Sequence, residues 1–225
     1  GTLLLGPLAV RLLARTAAAL ALAPMQPALI VIDDFLSDPD AFRAMALRLN
    51  YSLKGHYPGR NSVEHVQIEG LDRLVSAIVR EPVRVPFPPE SHGRFRLTLA
   101  ADREPGRIHI DPSHWSGILY LSRPEDCRGG TEFYRHLPTG TERVPKDAEG
   151  LRSIGYSSYG DLQREVVEGD SLDRSKWELT TFVSMRFNRL VLLQPQYWHT
   201  SGPGFGDSVE NGRLIYVMFF KRPPV

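Results

Sequence analysis

The spacing of apolar residues divides the chain into two stretches. Between 71 and 79, apolar side chains recur at the intervals of one helix face, and Pro82 ends the pattern. A second helix is predicted over about 38–50, with Ser37 as its N-cap. The first part of the chain is therefore predicted to be mainly helical.

From residue 94 onward the apolar period is two, which is typical of β-strands. Apolar residues at 95, 97 and 99 alternate with polar ones, so this strand is predicted to turn Arg94 and Arg96 to the outside. Helices followed by many short strands indicate an α+β fold built on an antiparallel sandwich or barrel. Further strand-like runs occupy 106–111, 117–122, 131–135, 189–194 and 212–220.

The whole of 1–225 is predicted to be a single domain, because no linker or internal repeat interrupts it. Residues 1–93 are interpreted as helical support for a β core over 94–225. Residues 136–180 are polar with few strand signals, and they are predicted to form one loop-like insertion in that core.

The N-terminal segment over 3–25 is rich in Leu and Ala. Arg11 and Arg15 leave its apolar runs too short to cross a membrane. It is predicted to be an amphipathic helix packed on the domain of a cytoplasmic protein. The alternative is a secretory leader over 1–23.

Composition limits which partners and which metal ligands this protein can have. The sequence has 27 Lys and Arg against 26 Asp and Glu, a net charge of +1, so no nucleic-acid partner is expected. Cys127 is the one cysteine of the sequence, which excludes Cys-rich zinc and iron–sulfur sites. A metal would have to be held by His, Asp and Glu side chains.

One set of residues has the composition of such a metal site. His109 and Asp111 are two positions apart on a predicted strand, so their side chains share one face. His199 directly follows a later predicted strand. Two imidazoles and one carboxylate form the facial triad of non-haem Fe(II) oxygenases, which leaves coordination positions open.

Arg213 begins the final predicted strand, among apolar neighbours. A guanidinium on an apolar face needs an anion, and its planar fork matches a carboxylate. The alternative is an ion pair with Asp207 or Glu210.

Taken together, these residues resemble the Fe(II)/2-oxoglutarate-dependent dioxygenases, in particular their prolyl-4-hydroxylase-like branch. Within the superfamily, the segment Tyr57-Pro58-Gly59-Arg60 and the run Asn188-Arg189 are similar to a group without an assigned substrate. The shared pattern is His-x-Asp, a strand, a Gly-Gly turn, a strand, a distal His and then an Arg, over about 94–220. The resemblance implies a double-stranded β-helix (jelly-roll) core with supporting N-terminal helices.

The resemblance also implies a role for each residue. His109, Asp111 and His199 would bind Fe(II). Arg213 would bind the distal carboxylate of 2-oxoglutarate, and Tyr120 would contact the same carboxylate. With O₂ as the second co-substrate, the implied reaction hydroxylates an unactivated C–H bond of a small molecule, an amino acid or a peptide side chain. Succinate and CO₂ would be released.

Four further side chains are candidates for the substrate pocket. Trp115 and Trp198 neighbour the metal ligands in sequence and are predicted to form both pocket wall and core. His114 is expected near the pocket mouth. Arg60, in a turn-rich segment, could meet a substrate anion, although a solvated turn is the favoured interpretation.

Two other functions are left open. A cupin-type metalloenzyme that does not use 2-oxoglutarate would share the architecture, although cupins usually have His-x-His where this chain has His109 and Asp111. A non-catalytic jelly-roll binding module is the other alternative. The sequence identifies neither the substrate nor the oligomeric state.

Overall fold

The computed structural model of the chain describes residues 2–5, 28–55, 57–103 and 106–224. Helices and strands are mixed, and the sheets are mostly antiparallel. The strands are β1 (Thr2–Leu5), β2 (Leu29–Ile32), β3 (Leu53–Lys54), β4 (Arg60–Asn61), β5 (His65–Ile68), β6 (Arg94–Thr98), β7 (Trp115–Tyr120), β8 (Gly130–His136), β9 (Trp177–Ser184), β10 (Leu190–Leu193), β11 (His199–Ser201) and β12 (Arg213–Phe220). The helices are α1 (Pro39–Ala46), α2 (Leu71–Val79), α3 (Ala148–Ser153), α4 (Tyr159–Leu162), a π-helix (Gln163–Asp170) that continues α4, and a 3₁₀ turn (Arg174–Lys176).

The larger sheet has seven antiparallel strands in the order β2-β10-β7-β12-β6-β4-β3. The final strand of the chain, β12, lies in its interior and pairs Ile215 with Tyr120 on one side and Arg96 on the other. All four residues of β10 are buried. A strand covered on both faces is apolar throughout rather than alternating, which accounts for the unbroken run Leu-Val-Leu-Leu.

Helices α1 and α2 cover one face of the larger sheet. Phe42 of α1 packs against Phe95 and Tyr216, with ring centroids 5.2 and 5.3 Å apart. Val75 and Val79 of α2 enter the same buried core. The apolar residues of β6 are therefore directed at the helices.

The opposite face of the larger sheet packs against a smaller sheet of order β11-β8-β9. Phe133 and Val183 of the smaller sheet share a core with Val191, Ile215 and Val217 of the larger one. Side chains that β6, β7 and β12 turn toward the smaller sheet therefore line the space between the sheets.

The prediction of a helix over 71–79 is confirmed by α2. Helix α1 has Asp38 rather than Ser37 as its N-cap, because the Asp38 carboxylate accepts a hydrogen bond from the backbone N–H of Ala41. The described part of the region 1–93 is not mainly helical, since it contains β1 to β5 beside α1 and α2.

Two other predicted segments differ in the structure. The run 106–111 forms no regular strand, and only an isolated bridge joins His109 to His199. Residues 136–180 are not loop-like throughout, because they contain α3, α4, the π-helix and the beginning of β9.

The N-terminal prediction is only partly covered by the structure. Residues 2–5 form β1, which pairs in parallel with β5, where the sequence predicts the start of a helix. The remainder of the predicted helix over 3–25, and most of the alternative leader over 1–23, lie outside the described residues. No described helix has the length and apolar character needed to cross a bilayer.

Candidate metal centre

The side chains of His109, Asp111 and His199 converge in the space between the two sheets. The Nε2 atom of His109 lies 3.6 Å from Oδ1 of Asp111, and Nε2 of His199 lies 3.5 Å from Oδ2. One ligand atom from each residue lies within 4.8 Å of the other two, so this triad could hold a metal ion. Reciprocal backbone hydrogen bonds of 2.9 and 3.0 Å between His109 and His199 hold the two imidazoles side by side.

Both histidines are held in the tautomer that metal binding requires. Nδ1 of His109 lies 2.9 Å from the carbonyl oxygen of Arg107, and Nδ1 of His199 lies 2.7 Å from that of Tyr197. A carbonyl oxygen only accepts, so each Nδ1 carries the proton and donates it. Each Nε2 then offers its lone pair toward Asp111.

Burial determines the protonation state of His109. Desolvation, reinforced by the neighbouring His199, lowers the pKa of His109 to about 4. Its imidazole is therefore neutral at pH 7, the form in which it binds a metal.

Asp111 is ionised in the same surroundings. Burial alone would raise its pKa, but the neighbouring side chains of His199, His109 and Ser116 act in the opposite direction and bring the pKa of Asp111 well below its usual range. Ser116 Oγ donates to Asp111 Oδ2 over 2.7 Å, and Ser113 Oγ lies 2.8 Å from Ser116 Oγ. Two imidazoles and one carboxylate thus fit a divalent first-row metal such as Fe(II).

Ser116 gives a first test of this arrangement. We expect Ser116→Ala to weaken metal affinity by about tenfold or more, because a hydrogen bond to a ligating carboxylate orients it. Titration of the apo-protein with Fe(II) against a chelator measures the change. Ser184→Ala, on β9 away from the triad, is the matched control and should bind metal as the wild type does. An unchanged affinity in Ser116→Ala would contradict the orienting role.

Arg213 lies in the wall of the cavity that contains the triad. The residue is 1% exposed, and its Nε has no hydrogen-bond partner among the described residues. Among the described residues, the guanidinium makes one long polar contact, in which Nη2 lies 3.4 Å from the carbonyl oxygen of Gly130. No ion pair joins it to Asp207 or Glu210, both of which the structure describes. A buried guanidinium without a counter-charge is costly, so this position favours an anionic ligand.

Tyr120 is close to Arg213 but does not line the cavity itself. Its hydroxyl lies 2.6 Å from Oγ1 of Thr131, and Thr131 is a cavity residue. Burial raises the pKa of Tyr120, although the positive charge of Arg213 and the Thr131 hydrogen bond act in the opposite direction. The phenol stays protonated and can orient the Thr131 hydroxyl beside Arg213.

The cavity has a volume of about 530 Å³, within the range of small-molecule sites. Its apolar wall is formed by Ile118, Leu193, Ile215, Val217 and Phe219. The polar lining includes the triad, the guanidinium groups of Arg213 and Arg96 and the amide of Asn61.

The four other predicted pocket residues lie elsewhere. Trp115 points to the helix side of the larger sheet, where its Nε1 donates to Glu81, so it belongs to the core and not to the pocket wall. Trp198 is buried on the far side of the smaller sheet. His114 lies 3.0 Å from the same Glu81, beside a separate surface depression. Arg60 is exposed and does not line the cavity.

The cavity residues that were not predicted from the sequence include Tyr57, Asn61 and Arg96. Arg96, predicted to face outward, faces the cavity instead, because the apolar side chains of β6 are taken up by the helices. Tyr57 and Asn61 come from the segment around β3 and β4, and Asn61 reaches the site through its pairing with Arg96. No local motif marks Asn61, whereas Tyr57 begins the segment Tyr57-Pro58-Gly59-Arg60 that carries part of the family resemblance.

Two histidines, one carboxylate and a buried guanidinium that has no carboxylate partner among the described residues lie in one cavity, which makes this cavity a candidate metal site. Over residues 14–220 the sequence matches the family described as "Family of unknown function (DUF6445)", and the chain belongs to that family. Comparison with curated proteins gave no match.

Comparison with solved structures gave distant similarities. HygX from Streptomyces hygroscopicus, with nickel, 2-oxoglutarate and hygromycin B bound, is 14% identical with a TM-score of 0.48, covering 88% of this chain and 84% of that one. HygX with nickel and 2-oxoglutarate bound gives 16% identity, the same TM-score of 0.48 and the same coverage of 88% and 84%. AviO1 from Streptomyces viridochromogenes Tue57 is 20% identical with a TM-score of 0.34, covering 70% of this chain and 60% of that one. At such distances, functional arguments depend on the geometry of this chain's own site.

Proposed function

We propose that this protein is an Fe(II)/2-oxoglutarate-dependent dioxygenase of the prolyl-4-hydroxylase-like type. The observation that carries the proposal is the pairing, in one cavity, of the His–Asp–His triad with a buried arginine that has no carboxylate partner among the described residues. 2-Oxoglutarate carries both complementary groups, a keto acid that chelates a metal and a distal carboxylate.

In this proposal each residue has a defined task. His109, Asp111 and His199 hold the metal through two Nε2 atoms and a carboxylate oxygen. Arg213 binds the distal carboxylate through its fork, and Tyr120 orients the Thr131 hydroxyl toward the same group. The apolar wall restricts water around the bound co-substrate.

Bound Fe(II) would supply the activation of O₂ that hydroxylates an unactivated C–H bond, with conversion of 2-oxoglutarate to succinate and CO₂. The substrate in the proposal is a small molecule, an amino acid or a peptide side chain. The protein's own contribution is to position these molecules and to tune the metal's surroundings.

The proposal includes a double-stranded β-helix fold in a single domain. Two observations support it: the seven-stranded sheet packs against the three-stranded one, and β12 contributes to the cores on both of its faces. Leu214 and Tyr216 pack toward the helices, whereas Ile215 and Val217 pack toward the smaller sheet. A strand shared between two cores ties them into one cooperative unit.

The test is an anaerobic titration of the apo-protein with Fe(II) and then with 2-oxoglutarate. We expect a visible metal-to-ligand charge-transfer band only when both are present. Glutarate is the matched control, because it keeps the five-carbon chain and both carboxylates and lacks the keto oxygen, and it should give no band. Bound iron without a band would instead favour a cupin-type enzyme or a binding module.

A further inference from the structure

A second guanidinium, that of Arg96, faces the same cavity as Arg213. Arg96 lies opposite Ile215 in the pairing of β6 with β12, and both side chains line the cavity. In the described part of the chain, no carboxylate forms an ion pair with Arg96, and its terminal nitrogens bond no protein acceptor. Burial, together with the positive charge of Arg213, lowers the pKa of Arg96 from its ordinary value.

The guanidinium of Arg96 is held in place beside the triad. Its Nε donates to Asn61 Oδ1 over 2.9 Å. Its central carbon lies 5.4 Å from the ring centroid of Tyr57, and that ring packs on the imidazole of His109 with centroids 4.4 Å apart. An anion bound to Arg96 would therefore lie one aromatic ring away from a metal ligand.

A count of the charges in the cavity leaves the guanidinium of Arg96 without a counter-ion. A divalent metal with Asp111 and Arg213 has two excess positive charges, and the two carboxylates of 2-oxoglutarate neutralise them. Glu90 and Lys221, which also line the cavity, lie within 3.4 Å of each other and compensate one another. The charge of Arg96 remains without a counter-ion in a partly enclosed site, where an unpaired charge is costly.

Two donors, the Asn61 amide and the Arg96 guanidinium, border the cavity beside Gly55. A Cβ atom added at Gly55 would lie 3.1 Å from Nδ2 of Asn61 and 3.5 Å from Nη2 of Arg96, so a side chain at this position would crowd both donors. Because Asn61 uses its oxygen to accept from Arg96, its amide N–H groups remain for a ligand.

We infer that Arg96 and Asn61 form a carboxylate-binding subsite, so that the primary substrate is an organic acid held by its carboxylate at this position. The inference rests on the proposed function, because it assigns the metal and Arg213 to 2-oxoglutarate. Each guanidinium then binds a different carboxylate: Arg213 binds that of the co-substrate, and Arg96 binds that of the substrate.

Calorimetry on the protein loaded with Mn(II) tests the inference in two stages. In the first stage, binding of N-oxalylglycine, an unreactive analogue of 2-oxoglutarate, reports on the proposed function alone. In the second stage, N-acetyl-amino acids and their primary amides are titrated into the loaded complex. We expect at least one free acid to bind about tenfold or more tightly than its amide, as a charge-assisted hydrogen bond predicts.

The variants assign that preference to a residue. Arg96→Gln should remove the preference for the acid while N-oxalylglycine still binds within about twofold of the wild type. Arg94→Gln is the matched control, since this arginine is on the same strand but bonds the carbonyl oxygens of Ser62 and Val63 instead of lining the cavity. It should keep the preference.

Two results would overturn the inference without touching the proposed function. One is a wild-type protein that binds N-oxalylglycine but prefers no free acid over its amide. The other is an Arg96→Gln variant that loses N-oxalylglycine as severely as an Arg213 variant does, since both guanidiniums would then hold one co-substrate. A wild-type protein that does not bind N-oxalylglycine overturns the proposed function as well.

Discussion

We expect His199→Ala to weaken Fe(II) binding by more than about 100-fold and to eliminate the charge-transfer band with 2-oxoglutarate. The substitution leaves two of three ligands, while the backbone hydrogen bonds between positions 109 and 199 stay intact because they involve no side chain. The fold should therefore persist and the metal should be lost. Metal content after gel filtration and the anaerobic titration measure both effects.

Two controls separate loss of a ligand from general damage. Free imidazole fits the space left by the deleted ring, so adding it should restore part of the band to His199→Ala. His65→Ala removes an imidazole that bonds the carbonyl oxygen of His92 outside the cavity, and it should bind Fe(II) normally. If His199→Ala retained wild-type affinity for Fe(II), the triad would not be the metal site.

The ligand triad is visible in the sequence because its chemistry is local. His109 and Asp111 share one face by alternation, and His199 follows a recognisable strand. The structure brings these three together although 106–111 forms only an isolated bridge. Alternation in an extended segment is enough to direct two side chains to one side, with or without a complete ladder.

The orientation of β6 could not be predicted in the same way. Alternation separates Phe95 and Leu97 from Arg96, but it does not say which of the two faces is inside the protein. In a sheet covered on both faces, the helices take the apolar side and leave the polar side to the cavity. The prediction that Trp115 forms part of the pocket wall was wrong for the same reason. Trp115 is near the ligands in sequence, but its side chain lies on the other face of the larger sheet.

The other features that the sequence did not predict depend mostly on pairing between distant strands or on elements too short or too exposed to show a period. Asn61 reaches the cavity because β4 pairs with β6, and no feature of its own sequence neighbourhood encodes that register. Strand β9 is mostly exposed on the outer edge of the smaller sheet, so it lacks the apolar alternation that marks a strand. Helices α3 and α4 are only 6 and 4 residues long, too short for a helical period to show.

Replacement of Arg213 by methionine should separate co-substrate binding from metal binding. We expect Arg213→Met to bind Fe(II) normally and to lose about 30-fold or more in affinity for 2-oxoglutarate, since truncating one partner of a buried charge pair costs about 2–5 kcal/mol. The same variant should be more stable than the wild type without ligands, by about 1–3 kcal/mol, because it removes a buried charge that has no carboxylate partner among the described residues. Calorimetric titration and urea unfolding measure the two effects.

Arg43→Met is the matched control on the other side of the larger sheet. Arg43 is buried too, but its guanidinium donates to the carbonyl oxygens of Leu121 and Glu210, so its role is structural. This variant should lose stability and keep its affinity for 2-oxoglutarate, the opposite of Arg213→Met. If both variants lost stability and both still bound 2-oxoglutarate, Arg213 would be a structural arginine, and the co-substrate would have to be held by other groups in the cavity. A gain in stability paired with a loss of binding is expected only of a charge kept in the core for a ligand, because a structural cation already has its acceptors.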